Sequence, residues 1–444
     1  MLKINKKIII TTIAVILGVA YLYLTNFSII TRFFGTEVPL VEKPPINTGT
    51  IGSHAVSFLK TDERLGVDIF ASGLEGPRVI SFDPNGKMVV SEPSKGDVVM
   101  LEDRDNDGFA ESKEVLISNL KSPHGLAFYK NLKTNISYIY IAEENQVNRY
   151  KYDVSKSQII PNTSENIASV PAGGRHTTRT IGFGPNYRKV PIVNGIQLPV
   201  SNLKLYISVG SSCDVCVESD WKRASILESD PDGNYTAEFA GGLRNSVFFT
   251  FQPQTGEMWA TDMGRDYLGD YLPPDEINIV KVADTSDKFG ARRYGWPFCY
   301  GNKVKDTTFK PDKVDRIDVP QDCSKTESPT IEVPPHSAPL GLAFINNPKW
   351  PKDWQGDLLV AFHGSWNSSI PVGYKVVRYD LDESGKVLSQ TPIDFITGWI
   401  DGKLSMSSGK AKILGRPVDL KFSPDGTLYI SDDVAGVIYR LSLQ

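Results

Sequence analysis

With 444 residues, 40% of them hydrophobic, and a formal net charge of −4, the chain has room for two or three ordinary domains or one large repeat fold. The mildly acidic balance argues against nucleic acid as a partner, since no basic surface is on offer. No phosphate-cradling glycine loop, G-x-S-x-G elbow or H-E-x-x-H helix occurs, so nucleotide, serine-hydrolase and zincin chemistry have no support.

The chain begins with Lys3, Lys6 and Lys7, followed by an uncharged apolar run of 17 residues from Ile8 to Leu24. A span of the bilayer takes about 20 apolar residues. The preceding lysines place the N-terminus on the cytoplasmic side. Residues 1–25 therefore read as a signal anchor or signal peptide helix, and the absence of an A-x-A-like site favours the uncleaved anchor. Either form puts the rest of the chain outside the cytoplasm, with the anchor giving a membrane tether. Residues 26–60 read as a linker, broken by Pro39, Pro44, Pro45, Gly49 and Gly52.

From residue 61 onward the expected class is all-β. Six segments repeat one phrase: Leu74–Leu101, Leu120–Tyr152, Gly173–Ser211, Gly242–Val280, Pro334–Leu381 and Gly415–Leu443. Each opens with Gly, Pro, His or Arg, continues into an apolar strand, usually turns at a motif such as SPDG, and enters a second apolar strand such as LYIS. Six strand-rich units 40 or more residues apart predict a six-bladed β-propeller over 61–444. The segment VDIFASGL (Val67–Leu74) is similar to the fourth strands EVLISNL and YTAEFAGGL, so it is expected to complete the last blade and close the ring.

The loops into the first strands and after the second strands would open on one face around the axis. The first set carries Arg78, His124, His176, Arg244, His336 and Arg416; the second carries Glu92, Glu143, Glu144, Asp262, Arg265, His363, Asp432 and Asp433. Recurrence of imidazoles and guanidiniums at equivalent places predicts a shared central site for an anionic ligand, a metal or proton transfer.

Within the first blade, Asp103, Asp105, Asp107, Gly108 and Glu114 fit the D-x-D-x-D-G-x5-E calcium loop. The flanks read as strands, so the expectation is a structural calcium loop away from the central site. Four cysteines fit two disulfides in an oxidising compartment. Of three possible connectivities, pairing sequence neighbours gives Cys213–Cys216 and Cys299–Cys323.

The segments GGRHTTRTIGFGPN, KLYISVGSSCDVCVE, GLRNSVFF, YGWPFCYG, HSAPLGLAF, AFHGSWN and GRPVDLKFSPDG together resemble the sorbosone dehydrogenase-like sugar dehydrogenases. Those are similar to the soluble quinoprotein glucose dehydrogenases, six-bladed propellers holding pyrroloquinoline quinone (PQQ) and calcium. The resemblance covers roughly Leu65 to Leu443. It implies His176 as catalytic base and Arg244 with Asn245 beside quinone and substrate. It places Gly264 and Arg265 as main-chain calcium ligands and Arg416 as a partner for a cofactor carboxylate. Arg265, His363 and Lys375 are further cofactor candidates, and Trp366 and His336 would line the sugar site. Val247, Val418, Arg265 and Ser368 depart from the family pattern.

What this implies is an exported, PQQ- and calcium-dependent oxidation of a sugar or polyol. Arginines give forked hydrogen bonds to the cofactor's three carboxylates. A histidine takes the hydroxyl proton as hydride leaves the same carbon. No C-x-x-C-H haem motif occurs, so electrons would leave to an external acceptor. Two other readings stay open. One is a calcium-dependent lactonase using Glu92, Asn245 and Asp432; the other is a non-catalytic, membrane-tethered propeller that binds a glycan or protein.

Overall fold

The computed structural model describes residues 56–444 apart from 188–191, 194–195, 198–202, 284–289, 317 and 402–411. The N-terminal helix expected over 1–25 and most of the 26–60 linker lie outside the described residues. Among the described residues no helix is long and apolar enough to cross a membrane.

Six antiparallel sheets form six blades. Their innermost strands are Ile80–Phe82, Leu126–Asn131, Ile181–Pro185, Phe249–Phe251, Pro339–Phe344 and Pro417–Phe422. Each of these meets the innermost strand of the next blade, and the last meets the first, so the sheets close into a ring. The expected closing strand is present: Leu65–Ala71 pairs antiparallel with Val437–Leu443, register Leu65 to Leu443. One blade is thus made from both ends of the propeller chain.

Local chemistry explains the hairpins. In blade one, Asp83 Oδ1 accepts the main-chain N–H groups of Asn85 (2.9 Å) and Lys87 (2.8 Å), and Gly86 takes φ +84° to complete the turn. Blade six uses Ser423 for the same purpose: its hydroxyl accepts from Thr427 N at 3.1 Å, and Gly426 sits at φ +92°. The second strands, such as Leu358–Phe362 and Met258–Asp262, are buried along their whole length. A strand covered on both faces favours an apolar run over alternation, as Leu358–Phe362 (LLVAF) shows; in Met258–Asp262 the run ends in Thr261 and Asp262, both hydrogen-bonded.

The apolar interior gathers Val79, Leu126, Val247, Leu340, Phe362 and Val418 from five different blades into one cluster. Two insertions add to the sheets: Arg292–Arg293 lies parallel to the outer strand of blade three, and Lys60–Thr61 pairs with the outer strand of blade five. Val56 and Leu59 are buried, so the folded body takes in the last residues assigned to the linker. Both disulfides form as paired from the sequence, Cys213–Cys216 and Cys299–Cys323.

Candidate active site

On the face where the inner strands begin, a cavity of about 250 Å³ opens between blades three, four and five. His176, Arg244, Asn245, Gly264, His336 and Trp366, all expected at the site, line it together with Arg175, Asp266 and Asn367. The sequence reading thus brought six of its residues to one place.

His176 is fixed at one ring nitrogen. Its Nδ1 lies 3.1 Å from the Ser211 carbonyl and 3.0 Å from the Ser211 hydroxyl. That hydroxyl spends its one proton on the Cys213 carbonyl, at 2.7 Å. Nδ1 therefore faces only acceptors and must carry the ring proton, which leaves Nε2 with the lone pair. Burial, then the Arg244 and Arg175 guanidiniums, hold the imidazole down to about 3. Gly210 has no room for a side chain: a Cβ would stand 2.6 Å from His176 Cβ and 2.7 Å from Asn245 Oδ1.

Arg244 is the centre of the wall. All five of its side-chain N–H groups are used by the protein. Nε donates to Asp214 O (2.9 Å); Nη1 donates to Gly264 O (2.9 Å) and Met263 O (3.3 Å); Nη2 donates to Asp214 Oδ1 (2.8 Å) and Asp266 Oδ2 (3.4 Å). Asp266 also accepts from Arg175 and, through Oδ1 at 2.7 Å, from Asn367 Nδ2. Burial raises the Asp266 carboxyl from its ordinary value, against the pull of Arg244. The Arg175 guanidinium sits 5.7 Å from the Trp366 ring centre, and Trp366 is half exposed at the mouth.

The Gly264 carbonyl, expected as a main-chain calcium ligand, lines the cavity and accepts Arg244 Nη1 at 2.9 Å. Arg265 turns away from the cavity to Asp306, at 2.8 Å, so it is not a cofactor contact. Lys375 is corrected likewise: it leads the third strand of blade five and pairs with Asp394 on the outer strand. The outer acidic loop also differs. Asp103, Asp105, Asp107 and Glu111 bring their oxygens together, whereas Glu114 lies in the strand Ser112–Ile117. The chain turns into that strand before the twelfth position is reached.

A second polar cluster joins blades five, six and one. His363 Nε2 is 2.9 Å from Asp433 Oδ1, and Arg78 Nη1 donates to Asp433 Oδ2 at 2.6 Å. Burial pushes the Asp433 carboxyl up, but His363 and Arg78 outweigh it and hold it well below the usual range. Arg416 reaches His363 Nδ1 (3.4 Å), Ser365 O (3.0 Å) and Tyr374 Oη (3.1 Å). His124 is buried beside Phe248 with Nδ1 3.3 Å from Thr180 Oγ1, and burial keeps it neutral. Neither His124, His363 nor Arg416 lines the cavity.

Four of the acids expected at the face are structural. Glu92 accepts Glu75 N (2.6 Å), Glu143 accepts Lys121 N (2.7 Å), Asp262 accepts Arg244 N and Asn245 N (3.0 and 2.7 Å), and Asp432 accepts Arg416 N (2.9 Å). Each sits at or just past the end of a second strand and ties down the segment leading into its own blade's first strand. Burial raises Asp262 well above the carboxylate range and Asp432 to about 7. The lactonase trio is therefore not assembled: Asn245 lines the cavity, while Glu92 and Asp432 are buried in their own blades. Val247 and Val418, which depart from the family pattern, lie in the apolar interior and not on the cavity wall.

Residues 59–444 match the profile of the family described as TrAA12-like. The chain belongs to the TrAA12-like family. Solved structures with the same fold include a Trichoderma reesei Carbohydrate-Active Enzymes Family AA12 protein, with 22% identity and TM-score 0.67 over 90% of this chain and 100% of that one. The PQQ domain of the Coprinopsis cinerea pyranose dehydrogenase in its holo form gives 22% identity and TM-score 0.65, over 91% and 99%. By sequence, a protein of Borreliella burgdorferi is 29% identical over 405 residues, covering 89% of this chain and 94% of its own. The Coprinopsis cinerea pyrroloquinoline quinone-dependent pyranose dehydrogenase is 25% identical over 414 residues. This TrAA12-like chain spans about half of that enzyme's length, 52% against 83% of its own.

Sequence reasoning missed Arg175, Asp214, Asp266 and Asn367. Arg175 had a signal, since it adjoins His176 in a glycine-rich loop. Asp214 lay hidden inside the C-x-x-C motif.

Proposed function

We propose that this chain oxidises a sugar or polyol, with PQQ as the redox group and His176 as the general base. The observation that carries the reading is the His176 side chain: Nδ1 is bound to Ser211 and Nε2 is left bare in a cavity walled by two guanidiniums. The relatives named as PQQ-dependent dehydrogenases supply the redox group's identity. The donor set fits it, because Arg175, Asn245 and Asn367 offer donors to a planar acid. When bound, PQQ supplies the hydride acceptor that no side chain can provide.

The chain's own part is binding and proton transfer. His176 Nε2 accepts the hydroxyl proton of the substrate, and Nδ1 stays hydrogen-bonded to Ser211 as charge develops on the ring. Trp366 offers an apolar face to a pyranose. Arg244, with every N–H taken, contributes a fixed positive field and holds the loops in place. A calcium ion is proposed only at the acidic loop of Asp103, Asp105, Asp107 and Glu111, in a structural role. Electrons pass to an external acceptor. Two disulfides and the Lys3–Leu24 segment support an extracytoplasmic body tethered to the membrane.

The test is reconstitution of the purified protein with PQQ, followed by a panel of aldoses and polyols with an artificial dye. Dye reduction that needs both PQQ and a sugar is expected. Hydrolysis of a lactone without added quinone, and no dye reduction, would move the assignment to the lactonase class.

A further inference from the structure

The segment Ser211–Asp214 stands between the two loops that carry His176 and Arg244, and it is bonded to both. On one side, Ser212 O accepts from Arg175 N at 2.8 Å, and the Ser211 carbonyl and hydroxyl hold His176 Nδ1. On the other, Ser211 N donates to Arg244 O at 2.8 Å. Asp214 then grips the Arg244 guanidinium twice, through its carbonyl (2.9 Å) and through Oδ1 (2.8 Å). The same Oδ1 accepts Asp266 N at 2.8 Å, and the same carbonyl accepts Trp296 Nε1 at 3.2 Å. The Cys213 carbonyl takes the Ser211 hydroxyl proton and so fixes which acceptor atoms His176 meets.

Such a short polar segment would ordinarily sample several backbone states. Here Cys213 and Cys216, three residues apart, close its second half into a small disulfide ring with Asp214 inside. The ring removes that freedom at the point where the two loops are bridged. We propose that Asp214, held in the Cys213–Cys216 ring, is the positioning residue that sets His176 and Arg244 relative to one another. The claim rests on the assignment of those two residues to the reacting site. Asp214 itself acts through its neighbours, and a displacement of about 1 Å at a reacting group is enough to cost roughly 100-fold in rate.

The experiment compares Asp214→Ala, Asp214→Asn and the double variant Cys213→Ser/Cys216→Ser, with Cys299→Ser/Cys323→Ser as the control disulfide. Two readouts are taken: turnover of the PQQ-reconstituted protein, and NMR titration of the histidine ring protons without PQQ. The chain has only five histidines, so the signals are resolvable. Burial first, then Arg244, Arg175 and Arg179, push the His176 ring toward the neutral form, and the Ser211 carbonyl opposes them. Loosening Arg244 is therefore expected to move the His176 titration upward, toward the ordinary histidine range.

For Asp214→Ala and the Cys213/Cys216 double variant, kcat should fall at least tenfold, with KM for the sugar within threefold and the His176 titration raised. Asp214→Asn keeps an acceptor oxygen and should retain kcat within threefold. The control disulfide variant should melt earlier but leave the His176 titration in place. If Asp214→Ala leaves the titration unmoved, the positioning role is wrong, whether or not the protein is less stable. If even the wild type oxidises no sugar, the dehydrogenase reading fails, and the ring titration still decides the positioning claim.

Discussion

Asp432 Oδ1 accepts the main-chain N–H of Arg416 at 2.9 Å, so the acid that ends one strand of blade six pins the residue just before another. Burial, opposed by the N–H bonds from Ala435 and Arg416, raises this carboxyl to about 7. In the window between about 4 and 7 the folded protein holds a proton that the unfolded chain has lost. That proton's contribution to stability is complete below the unfolded value and disappears as pH rises through 7. Asp432→Asn, which keeps Oδ1, should therefore gain on the wild type as pH is raised from 4 to 8, by on the order of a few kcal/mol. Urea unfolding at several pH values measures this, and a pH-independent difference would contradict it.

Replacement of His176 by Ala removes the proposed base and leaves the rest of the cavity wall in place. Turnover should drop by ~100- to 10,000-fold. PQQ binding, read from the cofactor's absorbance, should be largely kept. In the wild type the ring is held below the ordinary histidine range by burial and by Arg244 and Arg175. The acid limb of the rate profile should accordingly fall below pH 6.5, since the base is lost only when the ring is protonated.

The acidic loop of blade one predicts a metal-dependent melting temperature. Dialysis against a chelator should lower it, and calcium should restore it, by roughly 2–4 °C for each kcal/mol of binding energy or somewhat less in a chain this long. Glu111→Gln should abolish the effect. Glu114→Gln should not, because Glu114 belongs to the outer strand of that blade.

Arg78 and Asp433 form an ion pair of 2.6 Å with side chains only 15% and 17% exposed. Arg78→Met would leave the carboxylate with His363 alone, at a cost of ~3 kcal/mol. Adding Asp433→Asn should recover part of that loss. Double-mutant analysis by chemical denaturation gives the coupling directly.

The ring was legible because the repeats carry strand periodicity and turn chemistry in the same order each time, and because VDIFASGL so plainly matches a fourth strand. The carboxylates were not legible. Glu92, Glu143, Asp262 and Asp432 occupy the loops where ligands would be expected, yet each is consumed by main-chain N–H groups of its own blade. Sequence alone cannot distinguish an acid that binds a cation from one that clasps a loop. Lys375 shows the same limit: strand position fixes its height in the blade, while its side chain goes to the outer strand and Asp394. Arg244 was found, but its saturation by Asp214, Met263, Gly264 and Asp266 depends on segments separated by up to 52 residues, from Asp214 to Asp266.

The pairing of Leu65–Ala71 with Val437–Leu443 has a consequence for biosynthesis. During translation the first of these strands waits with its hydrogen-bonding edge open until Val437–Leu443 has been made. Blade six can be stitched only once Val437–Leu443 is available, so a product cut short before it would present an unpaired, sticky edge to its surroundings. The seam that closes the ring is therefore also the place where an incomplete chain differs most from a complete propeller.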